Sequence, residues 1–535
     1  MKKIFISIFA VVLAASVAVT SCTADYLERN TNQEQASESD LDYDNNRAGS
    51  YLSQMMANVL PTYQKIGDDE YGSASYQVVQ GLSGDIFSGY QAANKPDFDQ
   101  NNVYNLRADG WAGTMFEDVF VRCIAAWTRL DAIRETNGVA AALADVLKVA
   151  ALHRVTDAYG PIPYSSIGKA LHLNYDSQQE VYTAMFADLG NAIDVLTPAA
   201  INNTLDISRF DNVFYGDLTK WVQFANTLRL RLALRVYYAD QALYNAQAQA
   251  AIGNTLGFLT ENAAIHPASG ASWENPLYVI AYNFNDGDAK AGASILCYMN
   301  GYSDPRRDKY FVIGKDKQGN AAFVGMRMGV AINGAYAASD RWSYIKADNS
   351  DPLMWMSGAE SYFLLAEHYL RQNSPTQAQT WYENGIRRSF ELWGVDGATN
   401  YLAVTAAPAT YTDPVTESNS YSTALTDVSV AWSSQTTTEK HLEQIITQKY
   451  IAMFPEGMEA WAEFRRSGYP KLIPTVQNRS NGTINTAKQV RRLVYPASES
   501  QANAANLAEG IEILNQEASG GSGDNGGTQV WWDKR

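Results

Sequence analysis

Histidine and cysteine are scarce in this 535-residue chain, which has five His and three Cys. His153, His172, His266, His368 and His441 show no metal-ligand spacing. Cys22, Cys123 and Cys297 make neither a zinc pattern nor a disulfide framework, although a Cys123–Cys297 bridge stays open. Also missing are a Gly-x-Ser-x-Gly elbow, a His-Glu-x-x-His pair and a phosphate-binding loop, so no cofactor is implied. Basic residues are outnumbered, 41 against 57 acidic, for a net charge of −16 without a basic stripe. That excludes nucleic acid as a partner, because phosphate binding needs clustered Lys and Arg. After the N-terminus no run of about 18 apolar residues could cross a membrane as a helix. The 57 carboxylates leave a glycoside hydrolase as a rival class, but carboxylate pairs are not evidence without geometry.

What is present begins with an address. Lys2 and Lys3 precede an apolar run from Ile4 to Val19, and Val19-Thr20-Ser21-Cys22 resembles the lipobox of a bacterial lipoprotein, with Cys22 as the lipidated first residue. The alternative is a plain secretory signal that happens to contain a cysteine. Asp25 and Glu28 resemble the acidic signal that sends Bacteroidetes lipoproteins to the cell surface. Residues 1–21 thus read as a signal peptide, 22–44 as anchor and tether, and 45–535 as one domain.

That domain reads as mostly α, built of tetratricopeptide-like helical pairs with loop-rich insertions. From Ser357 to Trp393, Ala359, Tyr362, Phe363, Ala366 and Tyr369 recur at helical spacing; Pro375 restarts the helix, and Ala378, Tyr382, Ile386 and Phe390 form a second stripe. One such hairpin cannot bury both faces, so further pairs are expected near 111–158, 180–238 and 439–466. Tyr51 to Tyr63 reads as a helix, Tyr76 to Tyr90 as either helix or extended chain. Insertions are expected near 254–349, where 311–313 and 322–326 suit small paired strands, and near 407–438. The glycine stretch 520–527 reads as flexible, and Trp531-Trp532 beyond it as docking back on the fold.

Several motifs together resemble the SusD/RagB family of outer-membrane lipoproteins. They are Thr156-Asp157-Ala158-Tyr159-Gly160-Pro161-Ile162-Pro163-Tyr164, Phe224-Ala225-Asn226-Thr227-Leu228-Arg229-Leu230-Arg231, Ser303-Asp304-Pro305-Arg306 and Tyr362-Phe363-Leu364-Leu365-Ala366-Glu367. Glu459 to Pro470 and Arg491 to Pro496 complete the set. The resemblance implies four helical repeat pairs, a loop-rich face that binds an extracellular glycan or in some members a peptide, and a SusC-like TonB-dependent barrel as partner. It implies a binder rather than an enzyme, with Tyr159, Pro161, Trp461 and Arg465 as scaffold.

Sugars present hydroxyls around weakly apolar faces, so a binder needs flat rings beside amides, carboxylates or guanidinium groups, and loops can bring these together. The candidates are Asp42, Tyr43 and Asn45; Asp68, Asp69 and Tyr71; Trp273, Asn283, Asn285 and Tyr298; and Tyr336, Arg341, Trp342 and Tyr344. Trp342 beside Arg341 stands out as a ring next to a fork of donors. The stretch from Asn283 to Asp288 has oxygen ligands for calcium but lacks the terminal Glu of a complete binding loop.

Overall fold

The computed structural model of the protein describes residues 43–61, 76–95, 100–170, 172–267, 273–283, 289–337 and 339–535. The signal segment, Cys22, Asp42, Asp68, Asp69, Tyr71 and Asn285 lie outside them. Contacts divide the chain into a unit ending at Gly49 and a unit from Ser50 to Arg535. Within the first, Tyr43–Asn45 is a 3-10 turn with Asp44 and Asn45 in the left-handed region, and Tyr43 is 72% exposed. Helix α1 spans Asn46–Val59.

The second unit is helical. Its main elements are α2 (114–131, with a π-helical stretch Val119–Ile124), α3 (Gly138–Tyr159), α4 (Gln178–Asn202), α5 (Leu218–Arg235) and α6 (Gln241–Ile252). There follow α7 (Ala293–Gly301), α8 (Glu360–Arg371), α9 (Pro375–Leu392), α10 (Thr438–Ala452), α11 (Gly457–Ser467) and α12 (Ala504–Glu517). Helices α2 to α6 pack in series, each on the next. Local chemistry sets their starts: Ser177 and Glu180 form a reciprocal capping box at α4, and Asp217 accepts the Thr219 and Lys220 amides at α5. Gly160, at φ 89°, ends α3.

Helices α8 and α9 form the expected hairpin. Their close approach rests on Gly385 as well as on alanines, since a Cβ there would meet the Phe363 ring at 2.9 Å. The last expected pair is arranged differently. Helix α10 packs chiefly on α8 and α9, whereas α11 packs on α3 and on the 77–87 segment, which is π-helical from Gln77 to Gly84. Two glycines make that crossing possible: a Cβ on Gly84 would lie 2.5 Å from Met458 Sδ, and one on Gly457 would lie 1.9 Å from Asp85 Oδ1.

An ion cluster ties these helices together inside the fold. Arg231 and Arg235 of α5 reach Glu360, Glu456, Glu459, Glu463 and Asp157; Arg466 bridges Glu367 and Glu463 at 2.7 Å each. Every one of these side chains is under 5% exposed, so Arg231 and Arg235 form internal ion pairs, whereas Arg229 on the same helix is half-buried and donates to Gln247. The scaffold motifs join the same interior: Arg465 stacks 3.6 Å over Trp461, and Tyr159 Oη donates to Ala112 O at 2.6 Å. Trp532 is buried and donates to Asp157 at 2.8 Å, as the docking of the terminal tryptophans requires. The glycine stretch before it is tied down, contrary to expectation: Gly526 O accepts from Arg491 N, and Gly520 O from Gln529 N.

Among the described residues, the 254–349 insertion carries most of the strands. A four-stranded antiparallel sheet has the order β1 (Gln91–Ala93), β3 (Ala289–Ala291), β7 (Tyr344–Ile345), β4 (Phe311–Val312). Two smaller sheets pair β2 (Ala263–Ile265) with β8 (Leu353–Met356), and β5 (Gly314–Lys315) with β6 (Ala321–Ala322). The expected pairing of 311–313 with 322–326 is therefore replaced by β4 on β7 and β5 on β6. Cys297 lies buried in α7 and Cys123 in α2, and both are free thiols, so the bridge between them that the sequence left open does not form.

Candidate functional site

The register of the four-stranded sheet places Lys290 of β3 and Val312 of β4 opposite Tyr344 of β7, and all three are half-buried. Residues opposite one another in an antiparallel pair share a face, so the Lys290 ammonium lies 5.5 Å over the Tyr344 ring. A helical turn brings two further rings. Asn275 accepts the Leu277 and Tyr278 amides, Pro276 occupies the first helical position, and the π-helical stretch Val279–Asn283 continues from there. Tyr278 and Tyr282 stack at 4.9 Å and 27°, and Tyr282 meets Tyr344 edge-on at 5.6 Å. Tyr282 Oη donates to Ile345 O at 3.1 Å, and burial raises its pKa above the usual tyrosine value, so it stays a donor.

The result is a half-buried patch of three tyrosine rings with an ammonium at one side and the exposed Asn283 next in sequence. Rings present C–H-binding faces, and the amide and ammonium present polar partners, which is the chemistry a sugar needs. Of the sequence candidates the structure brings Tyr344 to this patch and leaves Asn283 exposed one residue beyond Tyr282. Tyr278, Tyr282 and Lys290 were missed, although Asn275-Pro276 is a helix-start signal that sets 278 and 282 one turn apart.

Other candidates go elsewhere. Trp273 is half-buried and donates to Asp351 O at 3.1 Å. Arg341 is half-buried with its guanidinium on the Asp316 carbonyl. Trp342 is only 3% exposed and packs with Ala92, Met326, Val330 and Tyr336, its ring stacked on Tyr336 at 5.6 Å. It offers no face to a ligand. Tyr336 is likewise buried, donating to Asp413 at 2.7 Å and so linking the two insertions. Tyr298, expected on a loop, sits within α7 with no exposed surface, donating to Lys471 O at 2.8 Å. These three rings are core because their hydroxyls or faces have protein partners.

No helix among the described residues is long and apolar enough to cross a membrane, and none of their His, Cys, Asp and Glu cluster as a metal site. A family model described as SusD-like, SusD and RagB outer membrane lipoprotein, matches residues 28–533. Among solved structures, a SusD homolog from Bacteroides uniformis is 34% identical with a TM-score of 0.82, covering 91% of this chain and 99% of that one. A SusD homolog from Bacteroides thetaiotaomicron is 36% identical (TM-score 0.79), with the same coverage of both chains. A chitin-binding SusD homolog from Flavobacterium johnsoniae is also 36% identical, at TM-score 0.83 and the same coverage. No curated protein matches the chain. With the family model spanning nearly all its residues and the helical scaffold shared with these structures, the chain belongs to the SusD/RagB family of outer-membrane lipoproteins.

Proposed function

We propose that the protein is a cell-surface glycan-binding lipoprotein that captures oligosaccharides and delivers them to a SusC-like TonB-dependent barrel for import. Cys22 carries the lipid anchor, and the protein binds without catalysing a reaction. The observation that carries the reading is the tyrosine patch of Tyr278, Tyr282 and Tyr344, with Lys290 of the neighbouring strand β3 over the Tyr344 ring. It is supported by the 36% identity to a chitin-binding homolog over 91% of the chain. Trp273, Asn283 and Arg341 stand as further ligand candidates; Tyr298, Tyr336 and Trp342 belong to the scaffold beneath.

The test is calorimetric titration of the purified chain with chitin, cellulose and starch oligosaccharides and with host-type glycans, repeated for Tyr344→Ala. Saturable binding to one class, weakened by the substitution, supports capture at the patch. Binding of peptides with no glycan response would move the assignment to the RagB-like peptide alternative. Delivery is tested separately, by co-purification with a TonB-dependent barrel from the native membrane.

A further inference from the structure

Across β7 from Tyr344 lies a second concavity. Successive strand residues point to opposite faces, and where Tyr344 joins the tyrosine patch, Ile345 lines a cleft of about 410 Å³, joined by Lys346 and Ala347 just past the strand's end. That is within the size of small-ligand pockets. Its walls combine apolar surface from Met354, Leu392 and Phe454 with the half-exposed ring of Trp393, held at 4.6 Å from Tyr310. Polar groups converge on the same space. Asn262 is oriented by the Gly358 amide at 3.0 Å, Asp351 by the Asp348 amide at 2.8 Å, and Glu261 by Lys220 at 2.9 Å. Lys346 Nζ is directed to Asp308 O at 2.9 Å, and burial holds the lining His266 below the usual imidazole pKa.

An independent observation points to the mouth of this cleft. Tyr215 is 60% exposed yet held at φ 55°, in the left-handed region that a bulky residue rarely adopts. Its ring lies 5.5 Å from that of His266. The loop is rigid: the buried Asp211 carboxylate accepts the Val213, Phe214 and Gly216 amides and the Trp221 indole, all between 2.7 and 3.0 Å. His266 N donates to Asn212 O at 2.8 Å, fixing the loop to the cleft wall. A strained backbone and a fully satisfied anchor together present one aromatic ring to solvent beside the cleft. Packing gives no reason for this, because the ring is mostly outside.

We propose that this cleft is a second carbohydrate subsite, taking one end of a neutral oligosaccharide with Trp393 and Tyr215 as aromatic surfaces and Glu261 and Asp351 as hydroxyl acceptors. It rests on the reading of the protein as a glycan binder. The ammoniums of Lys220, paired with Glu261, and of Lys346 balance the Glu261 and Asp351 carboxylates, so the cleft offers no net positive charge to a uronic or sulfated sugar. Ionised carboxylates accept sugar hydroxyls more strongly than neutral groups do, and Asn262 adds an amide.

The test titrates the purified full chain with hexasaccharides of chitin, cellulose and starch and with the corresponding disaccharides. Tyr215→Gly relieves the left-handed strain, so its thermal midpoint should be unchanged or higher; its hexasaccharide affinity should fall by about tenfold. Trp393→Ala should weaken the same ligand, while disaccharides held at the tyrosine patch keep their affinity in both variants. A merely structural Tyr215 would instead lower the thermal midpoint on substitution and leave affinity alone. Equal hexasaccharide affinity for the wild type and Tyr215→Gly overturns the subsite while leaving capture at the patch intact. Loss with Tyr215→Gly but not with Tyr344→Ala would retain the cleft and remove the patch. A wild type that binds none of these sugars refutes both.

Discussion

Asp85 allows a prediction worked from one carboxyl. It sits where the 77–87 segment crosses α11, without exposed surface, and its Oδ2 accepts Gln91 Nε2 at 2.9 Å. Gln91 begins β1, so this carboxyl anchors the sheet whose β7 carries Tyr344. Burial pushes its pKa from 3.8 up to about 8, against a smaller downward pull from the Gly457 backbone. The folded state therefore binds a proton that the unfolded chain has already lost. The sign follows: this contribution to stability is whole below the unfolded pKa of 3.8 and is lost as pH rises through about 8. The slope is about 1.4 kcal/mol per pH unit, or on the order of 4 kcal/mol between roughly pH 5 and pH 8. Asp85→Asn keeps the shape and removes the titration. Urea unfolding of both proteins across that range should show the variant gaining steadily on the wild type as pH rises. Parallel stability curves would refute a buried, protonated Asp85.

Four further outcomes are expected. Tyr344→Ala should weaken oligosaccharide binding by about fivefold, equivalent to roughly 1 kcal/mol, with little change in unfolding midpoint. Trp342→Ala, by contrast, should cost on the order of 3–5 kcal/mol of stability by opening a core cavity; a binding loss without destabilisation would return Trp342 to the ligand site. Arg466→Met leaves Glu367 and Glu463 buried beside fewer cations, and denaturant titration should register a loss of about 3–5 kcal/mol. Gly457→Ala drives a methyl into Asp85 Oδ1, and a cost below about 1 kcal/mol in the same assay would contradict that close crossing.

By itself the sequence determined the helical class, the 357–393 hairpin and the family, because these rest on short-range signals: apolar spacing at 3.6 residues, a proline restart, and motifs whose residues are near one another in the chain. It also determined the scaffold role of Trp461 and Arg465. Tertiary structure decided what the aromatics do. Tyr298, Tyr336 and Trp342 look in sequence like Tyr344, and only partners elsewhere put them inside: Asp413, 77 residues on, for Tyr336; Lys471, 173 residues on, for Tyr298; and a cluster that includes Ala92 for Trp342. Tyr278, Tyr282 and Tyr344 became one patch through a strand register that pairs β3 with β7, a long-range choice with no local code. The cleft beside Tyr215 is further still from sequence, since its walls come from β2, β8 and the ends of α9 and α10, and a concavity exists only once those elements have packed.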